Sequence, residues 1–442
     1  MFDFGRELKR FFQPAVPREG LALGDSTLLE LLDLRMLQSE ARSADVAAGR
    51  IGAKDRTFKL SQASAAWREV ARRNGDAAAL RKSAASAEQA AKLARESDRR
   101  SALVRALCEQ VQTAFVGADL FGEDGLNVAA DYLLGQAGSA STTQGLKAML
   151  GARQGIGKAT LESAKATALS FDRALAGLKG RTPAEIAAAI VLRCERAEFL
   201  TGCGTLLGEP QLIEQALADL NGACQSADGA YHPLTAARAF ELRGLALLQL
   251  GEFKADPVPI LESLDAFSLA IDLITPDHSP LDWARLHHGQ GGAFTALGET
   301  GASDVAFQRA LQAFDKAAAV LGAAPHLALR AIVAQDRASC LVRRAEARGD
   351  GFALDEAEAI LRGELAGLSH SPEPVAWAVL QLNLARIYMV QAALGGRRQG
   401  RRAEAGEALL AALDVFSERG LRSLAAVADA ALEELREAST AV

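Results

Sequence analysis

Apolar positions fall at helical spacing along the whole chain. Near the start, Phe4, Leu8, Phe11 and Phe12 recur at i, i+4, i+7 and i+8, one face of a short amphipathic stretch that Pro14 and Pro17 interrupt. Near the end, Leu421, Leu424, Val427, Ala431 and Leu432 form a single stripe across residues 420–438. Between these ends the pattern repeats. Pro233, Ala237, Gly244, Ala246 and Leu250-Gly251-Glu252 overlay Pro280, Ala284, Gly291, Ala293 and Leu297-Gly298-Glu299 at a constant offset of 47. Leu264, Ala266, Phe267 and Ala270 fall on Leu311, Ala313, Phe314 and Ala317 at the same offset of 47. Trp283 and Trp377 lie 94 residues apart, twice that offset, each three residues after a proline.

The register runs through a column of small residues, Ala197, Gly244, Gly291, Ala338 and Ala385, each followed three residues later by Leu200, Leu247, Phe294, Leu341 or Tyr388. A small residue one turn before a large one lets a neighbouring backbone approach while the large side chain fills the adjacent hole. Helix starts agree: Thr182-Pro183-Ala184-Glu185 and Ser279-Pro280-Leu281-Asp282 both read as an N-cap, a proline at the first helical position and an acid three residues after the cap. Gly208, Gly251, Gly298, Gly349 and Gly395 are predicted to stop the first helix of each unit. The expected fold is all-α, an α-solenoid of stacked helix-loop-helix repeats. Its predicted parts are an N-terminal amphipathic segment and linker over residues 1–25, degenerate helical repeats over 26–180, five regular 47-residue repeats over 182–419, and a closing helix and tail over 420–442.

Composition supports this and narrows the function. Aromatic residues make up 5% of the 442, too few for a large sheet, and the formal charge of -6 gives no general basis for gripping a nucleic-acid backbone. No stretch approaches the roughly 20 apolar residues of a spanning helix. Asp3, Arg6, Glu7, Lys9 and Arg10 stand where a signal peptide would run apolar, so a cytoplasmic location is expected. Cys108, Cys194, Cys203, Cys224 and Cys340 lack C-x-x-C spacing and read as small core residues.

The first helix of each unit, typified by residues 283–298 with Gly291 in the small slot and Phe294 in the aromatic one, resembles the tetratricopeptide repeat. Two departures stand out: the unit is 47 residues rather than 34, and Arg243, Gln290 and Arg337 occupy a column where the pattern usually has leucine. The resemblance implies a protein-binding scaffold whose first helices line a groove. Glu241, His288 and Gln335, Arg238 and Arg285, Arg386, and Gln249 with Arg343 would face that groove, whose arginines suit carboxylates of a peptide or acidic protein motif.

Rival chemistry is weaker. In Gly151–Ala159 a phosphate-loop reading fails on spacing, since Ala152 and Ala159 stand where the motif needs Gly and Ser or Thr. His287 and His288 are adjacent, so they point about 100° apart on a helix and do not share a metal. No catalytic constellation, cofactor site or metal site emerges. Arg397, Arg398, Arg401 and Arg402 read as a solvated inter-helix loop, with contact to an acidic segment as the alternative. The N-terminal Phe4, Leu8, Phe11 and Phe12 form a candidate docking motif for the protein's own first hairpin, a partner groove or a membrane surface. The sequence thus points to a non-enzymatic adaptor or scaffold. A self-assembling structural subunit, or a nucleotide-binding regulator with a site in residues 100–180, is the alternative.

Overall fold

The computed structural model describes residues 27–50, 55–123, 125–138, 141–180, 182–301, 303–321, 327–348, 351–368, 374–393, 400–418 and 422–440. The N-terminal motif of Phe4, Leu8, Phe11 and Phe12, together with Arg397 and Arg398, lies outside them. Every regular element among the described residues is helical. The chain divides into two compact units, Met1–Arg72 with Asp76–Ala239, and Arg73–Gly75 with Phe240–Val442.

The first unit opens with a 3-10 turn, Thr27–Leu31, and continues through α1 (Leu34–Gly49), α2 (Arg56–Asn74), α3 (Ala77–Glu96), α4 (Arg100–Phe121), α5 (Gly125–Ala137), α6 (Ser141–Gly155), α7 (Leu161–Ala176), α8 (Pro183–Leu207), α9 (Pro210–Ser226) and the start of α10 (Pro233–Lys254). The second holds the rest of α10, then α11 (Pro257–Leu273), α12 (Pro280–Gly301), α13 (Asp304–Leu321), α14 (Leu327–Arg348), α15 (Gly351–Leu368), α16 (Pro374–Ala393), α17 (Arg401–Glu418) and α18 (Arg422–Thr440). Short turns make chain neighbours pack as hairpins. First helices also pack on first helices, α4 on α6 on α8 in one unit and α12 on α14 on α16 in the other. That double contact defines a stack of helix hairpins.

The helix starts form as the caps require. Thr182 accepts a hydrogen bond from the Glu185 amide at 3.2 Å, and Ser279 donates to Asp282 Oδ2 at 2.7 Å ahead of α12. Packing at the small-residue column is tight. A Cβ built on Gly244 would lie 2.9 Å from Phe267 Cζ, and one on Gly291 would lie 2.6 Å from Phe314 Cε1. The Phe267 ring is held on its other side too, since a Cβ on Gly289 of the next first helix would meet it at 2.6 Å.

The structure corrects the reading of Gly251 and Gly298 as helix stops. Both are buried inside α10 and α12, which run three residues further. A Cβ on Gly204, Gly251 or Gly298 would lie 2.6, 2.6 or 3.0 Å from Ile213, Ile260 or Phe307 of the paired second helix. Each of these glycines is the third residue from a helix end closed by a Schellman turn: its carbonyl accepts from the amide of Glu209, Asp256 or Ser303 at 2.8, 3.0 and 3.1 Å. The left-handed residue comes four later, at Gly208 with φ 69° and at Ala255 with φ 50°. Gly208 therefore does cap α8, whereas Gly349 and Gly395 lie outside the described residues.

The departure from leucine in the Arg337 column has a physical purpose. Arg337 of α14 bridges Asp315 of α13 at 2.6 Å and Glu356 of α15 at 2.9 Å, tying together the second helices of adjacent repeats. Arg196 in the same column ties Asp172 of α7 to Asp219 of α9. Arg401 is likewise no loop residue. It opens α17 and grips Glu358 at 2.8 Å over the Tyr388 ring, 4.8 Å from its centroid. In α18 the packed face runs through Leu424, Ala428, Ala431, Leu432 and Leu435, which leaves Val427 exposed.

In the first unit the corresponding interior is more polar. Ser83 donates to the Ser64 carbonyl at 2.8 Å and shares a 2.9 Å bond with the Thr113 hydroxyl, while buried Arg68 and Glu109 pair beside them. Short hydroxyls satisfy one another across α2, α3 and α4 without forcing these helices apart.

His287 is 3% exposed and packs edge-on against Trp283, ring centroids 4.1 Å apart. Burial, with Lys316 adding to it and Gln290 opposing, pulls its pKa down to about 4. An unfolded histidine takes a proton near 6.5, so between that value and about 4 the unfolded state binds more protons and acid favours unfolding.

Two outcomes follow from this packing. Gly291→Leu is expected to cost about 1–3 kcal/mol and lower the melting temperature. Gly292→Ala, whose new Cβ has nothing nearer than 3.8 Å, is expected to leave it unchanged or slightly higher, and an unaltered Gly291→Leu melt would refute the close approach. Urea unfolding at stepped pH should show wild type losing up to about 3 kcal/mol more than His287→Gln as pH falls through the histidine window. Parallel pH curves for the two proteins would refute a buried neutral His287.

Candidate partner-binding face

The predicted groove residues divide between the two units. In the first, Arg238 near the start of α10 reaches Glu198 of α8 at 2.8 Å. The neighbouring row carries a rung that sequence reasoning missed, in which Arg153 of α6 bridges Asp119 of α4 at 2.9 Å and Glu195 of α8 at 2.7 Å and stacks on Phe115. Burial raises the Glu195 pKa, and the Arg153 guanidinium opposes the rise.

In the second unit the predicted residues sit on α10, α12, α14 and α16 as follows. Glu241 turns inward and is only 5% exposed, so it belongs to the packing between helices. Arg285 pairs within its own helix with Asp282 at 3.3 Å. His288 Nε2 meets Asp336 Oδ2 of α14 at 2.6 Å, and its ring lies 6.0 Å from Phe314. Arg343 of α14 pairs with Glu299 of α12. Gln249 donates to Glu252 at 3.0 Å, and burial, reinforced by Glu299 and opposed by Arg343, raises the Glu252 pKa. Gln335 is half-buried beside Asp336, and Arg386 is exposed on α16.

His288 and Arg343 thus form two rungs between the same pair of first helices. Their acidic partners, Asp336 and Glu299, were not among the predicted groove residues, although Glu299 marks the repeat register. The separations of 48 and 44 residues are one period plus one and minus three, the offsets at which adjacent repeats touch. A search for opposite charges at those offsets would have found them. The result is a charge-balanced surface: in both pairs the side chains are a quarter to two-fifths exposed, and such pairs exchange partners at little cost.

Other chemistry lies elsewhere in the molecule. Cys108, Cys194, Cys203 and Cys340 are buried, and burial pushes the Cys108 thiol up to about 12, far from the reactive thiolate range. The Gly151–Ala159 segment forms the end of α6 and a single 3-10 turn, Ile156–Lys158, before Thr160 caps α7. Among the described residues no group of three or more His, Cys, Asp and Glu is placed to hold a metal ion. No described helix is long and apolar enough to cross a membrane.

The chain matches no known family and no curated protein. Among solved structures it is similar to a tetratricopeptide repeat protein from Parabacteroides merdae, at 15% identity over 73% of this chain and 98% of that one, with a TM-score of 0.41. A Rap protein complexed with competence and sporulation factor is similar at 11% identity, over 91% of this chain and 98% of that one, with a TM-score of 0.43. A human IFIT1 dimer with PPP-AAAA is similar at 12% identity, over 95% and 96% of the two chains, with a TM-score of 0.41. The described helices form tetratricopeptide-like hairpin stacks, a conclusion that rests on the hairpins themselves and their 47-residue register.

Proposed function

We propose that the protein is a non-enzymatic scaffold that binds a segment of a partner protein along the first helices of its second unit, with acidic side chains of the partner meeting Arg285, Arg343 and Arg386. The observation that supports this reading is the contrast between two sets of arginines. Arg337 is held at both ends between second helices, with its side chain 18% exposed. On the first helices Arg343 makes its ion pair with both side chains about two-fifths exposed, and Arg386 is exposed with no acid paired to it among the described residues. A partner carboxylate gains Arg386 outright and takes Arg343 by displacing Glu299, an exchange between exposed pairs that leaves the fold unchanged.

Affinity capture with the intact chain, followed by mass spectrometry, identifies the partner. The double variant Arg285→Glu, Arg386→Glu is then expected to keep its helical spectrum and to stay within about 1 kcal/mol of wild-type stability. Binding is expected to weaken by about 1.5–3 kcal/mol per lost contact, and wild-type affinity to fall as salt rises. Full binding by the folded double variant would reject this face.

A further inference from the structure

The start of α10 lacks the serine–aspartate pair found one repeat later. At the start of α12 the Ser279 hydroxyl donates to the Asp282 carboxylate, but the positions 47 residues earlier are His232 and Thr235. The His232 carbonyl accepts the Ala236 amide, and its Nδ1 is buried without a hydrogen-bond partner. The missing acceptor arrives from 205 residues away: Glu30 Oε2 accepts from the Thr235 amide at 2.8 Å, and Oε1 accepts from the Thr235 hydroxyl. Residues on either side of Glu30 are inserted as well. Leu29 and Leu32, three apart on a 3-10 turn and so on one side of it, are 7% and 2% exposed in a groove formed by Leu37, Ala41, Trp67 and Val70. Leu31 points away and is 43% exposed.

We propose that residues 27–32 are a ligand bound in cis, a removable strap, and that the site it fills accepts in its place a partner segment of the same chemistry, two leucines flanking an acidic residue. The strap has the three features of a short docking motif: two buried apolar anchors, a carboxylate seated on the amide and hydroxyl of Thr235 in the first turn of a helix, and an outward residue between the anchors. Asp33 links it to α1 and is itself the α1 cap, accepting from the Met36 amide at 2.7 Å, so the strap can leave without unwinding that helix. Burial, with Glu69 adding to it, raises the Glu30 pKa, and the two Thr235 bonds and His232 oppose the rise, so the Thr235 contact helps this site hold an acid.

The test uses the full-length wild-type chain and a synthetic peptide copying residues 27–34, Thr-Leu-Leu-Glu-Leu-Leu-Asp-Leu. Hydrogen–deuterium exchange is followed in the protein's own residues 27–33 and in the first turn of α10. Excess peptide is expected to speed exchange in the strap while the first turn of α10 stays protected, because a second carboxylate replaces Glu30. The same peptide with Gln in place of Glu is expected to need about tenfold more to act. A Glu30→Gln chain, with its cis competitor weakened, is expected to bind the labelled peptide about tenfold tighter than wild type. Strap exchange unaffected by saturating peptide in the wild-type chain would overturn the proposal, whether or not the Glu30→Gln chain folds.

Discussion

Two helices approach within the width of one aromatic ring only if one of them presents no side chain at the contact. That constraint recurs every 47 residues here, with Phe267 over Gly244 and Phe314 over Gly291. Where the small slot holds alanine, the facing register position shrinks to compensate. Ala197 and Ala338 stand opposite Leu220 and Leu361 in the repeat register, and all four are buried at 1% exposure or less. In these four repeats glycine goes with phenylalanine and alanine with leucine, so the combined volume of the pair is held near constant while its members change; in the fifth, Ala385 falls opposite Ala408 in the register. A second series, Gly204 with Ile213, Gly251 with Ile260 and Gly298 with Phe307, sets glycine against a large side chain at the closed end of three hairpins. Hairpin geometry, and with it the placement of every charged column on the first helices, follows from these two contacts.

Charges are sorted by that geometry. Arg196 and Arg337, one residue before the small slot, reach acids of the second helices and clamp successive repeats, which accounts for the absence of leucine at those two positions. Arginines and histidine on other faces of the same helices pair across neighbouring first helices at partly exposed positions. The same residue type therefore stabilises the stack on one side and offers exchangeable contacts on the other.

Much of this was legible in the sequence because it is periodic. The register, the Thr182 and Ser279 caps and the small–large column depend only on local spacing and on identical packing repeated along the chain. Glycine was read less well. Gly251 and Gly298 were expected to end helices, yet the close approach of Ile260 and Phe307 needs glycine inside them, and Ala255 takes the left-handed position instead. Glu241 shares a column with His288 but is only 5% exposed, whereas the His288 side chain is 25% exposed. The Glu30 contact with Thr235 left no local trace, because 205 residues separate its two sides and no periodicity links them.

Paired volume at the small slot sets how closely the helices stack, and a double-mutant cycle on the second unit tests it. Gly291→Ala and Phe314→Leu are each expected to destabilise the protein, the first by crowding the ring and the second by leaving a void. Together they recreate the pairing of Ala338 with Leu361, and urea unfolding should show the double variant at least about 1 kcal/mol more stable than the sum of the single losses predicts. Strictly additive losses would show that the two side chains do not share one space, and would contradict the packing on which the stack depends.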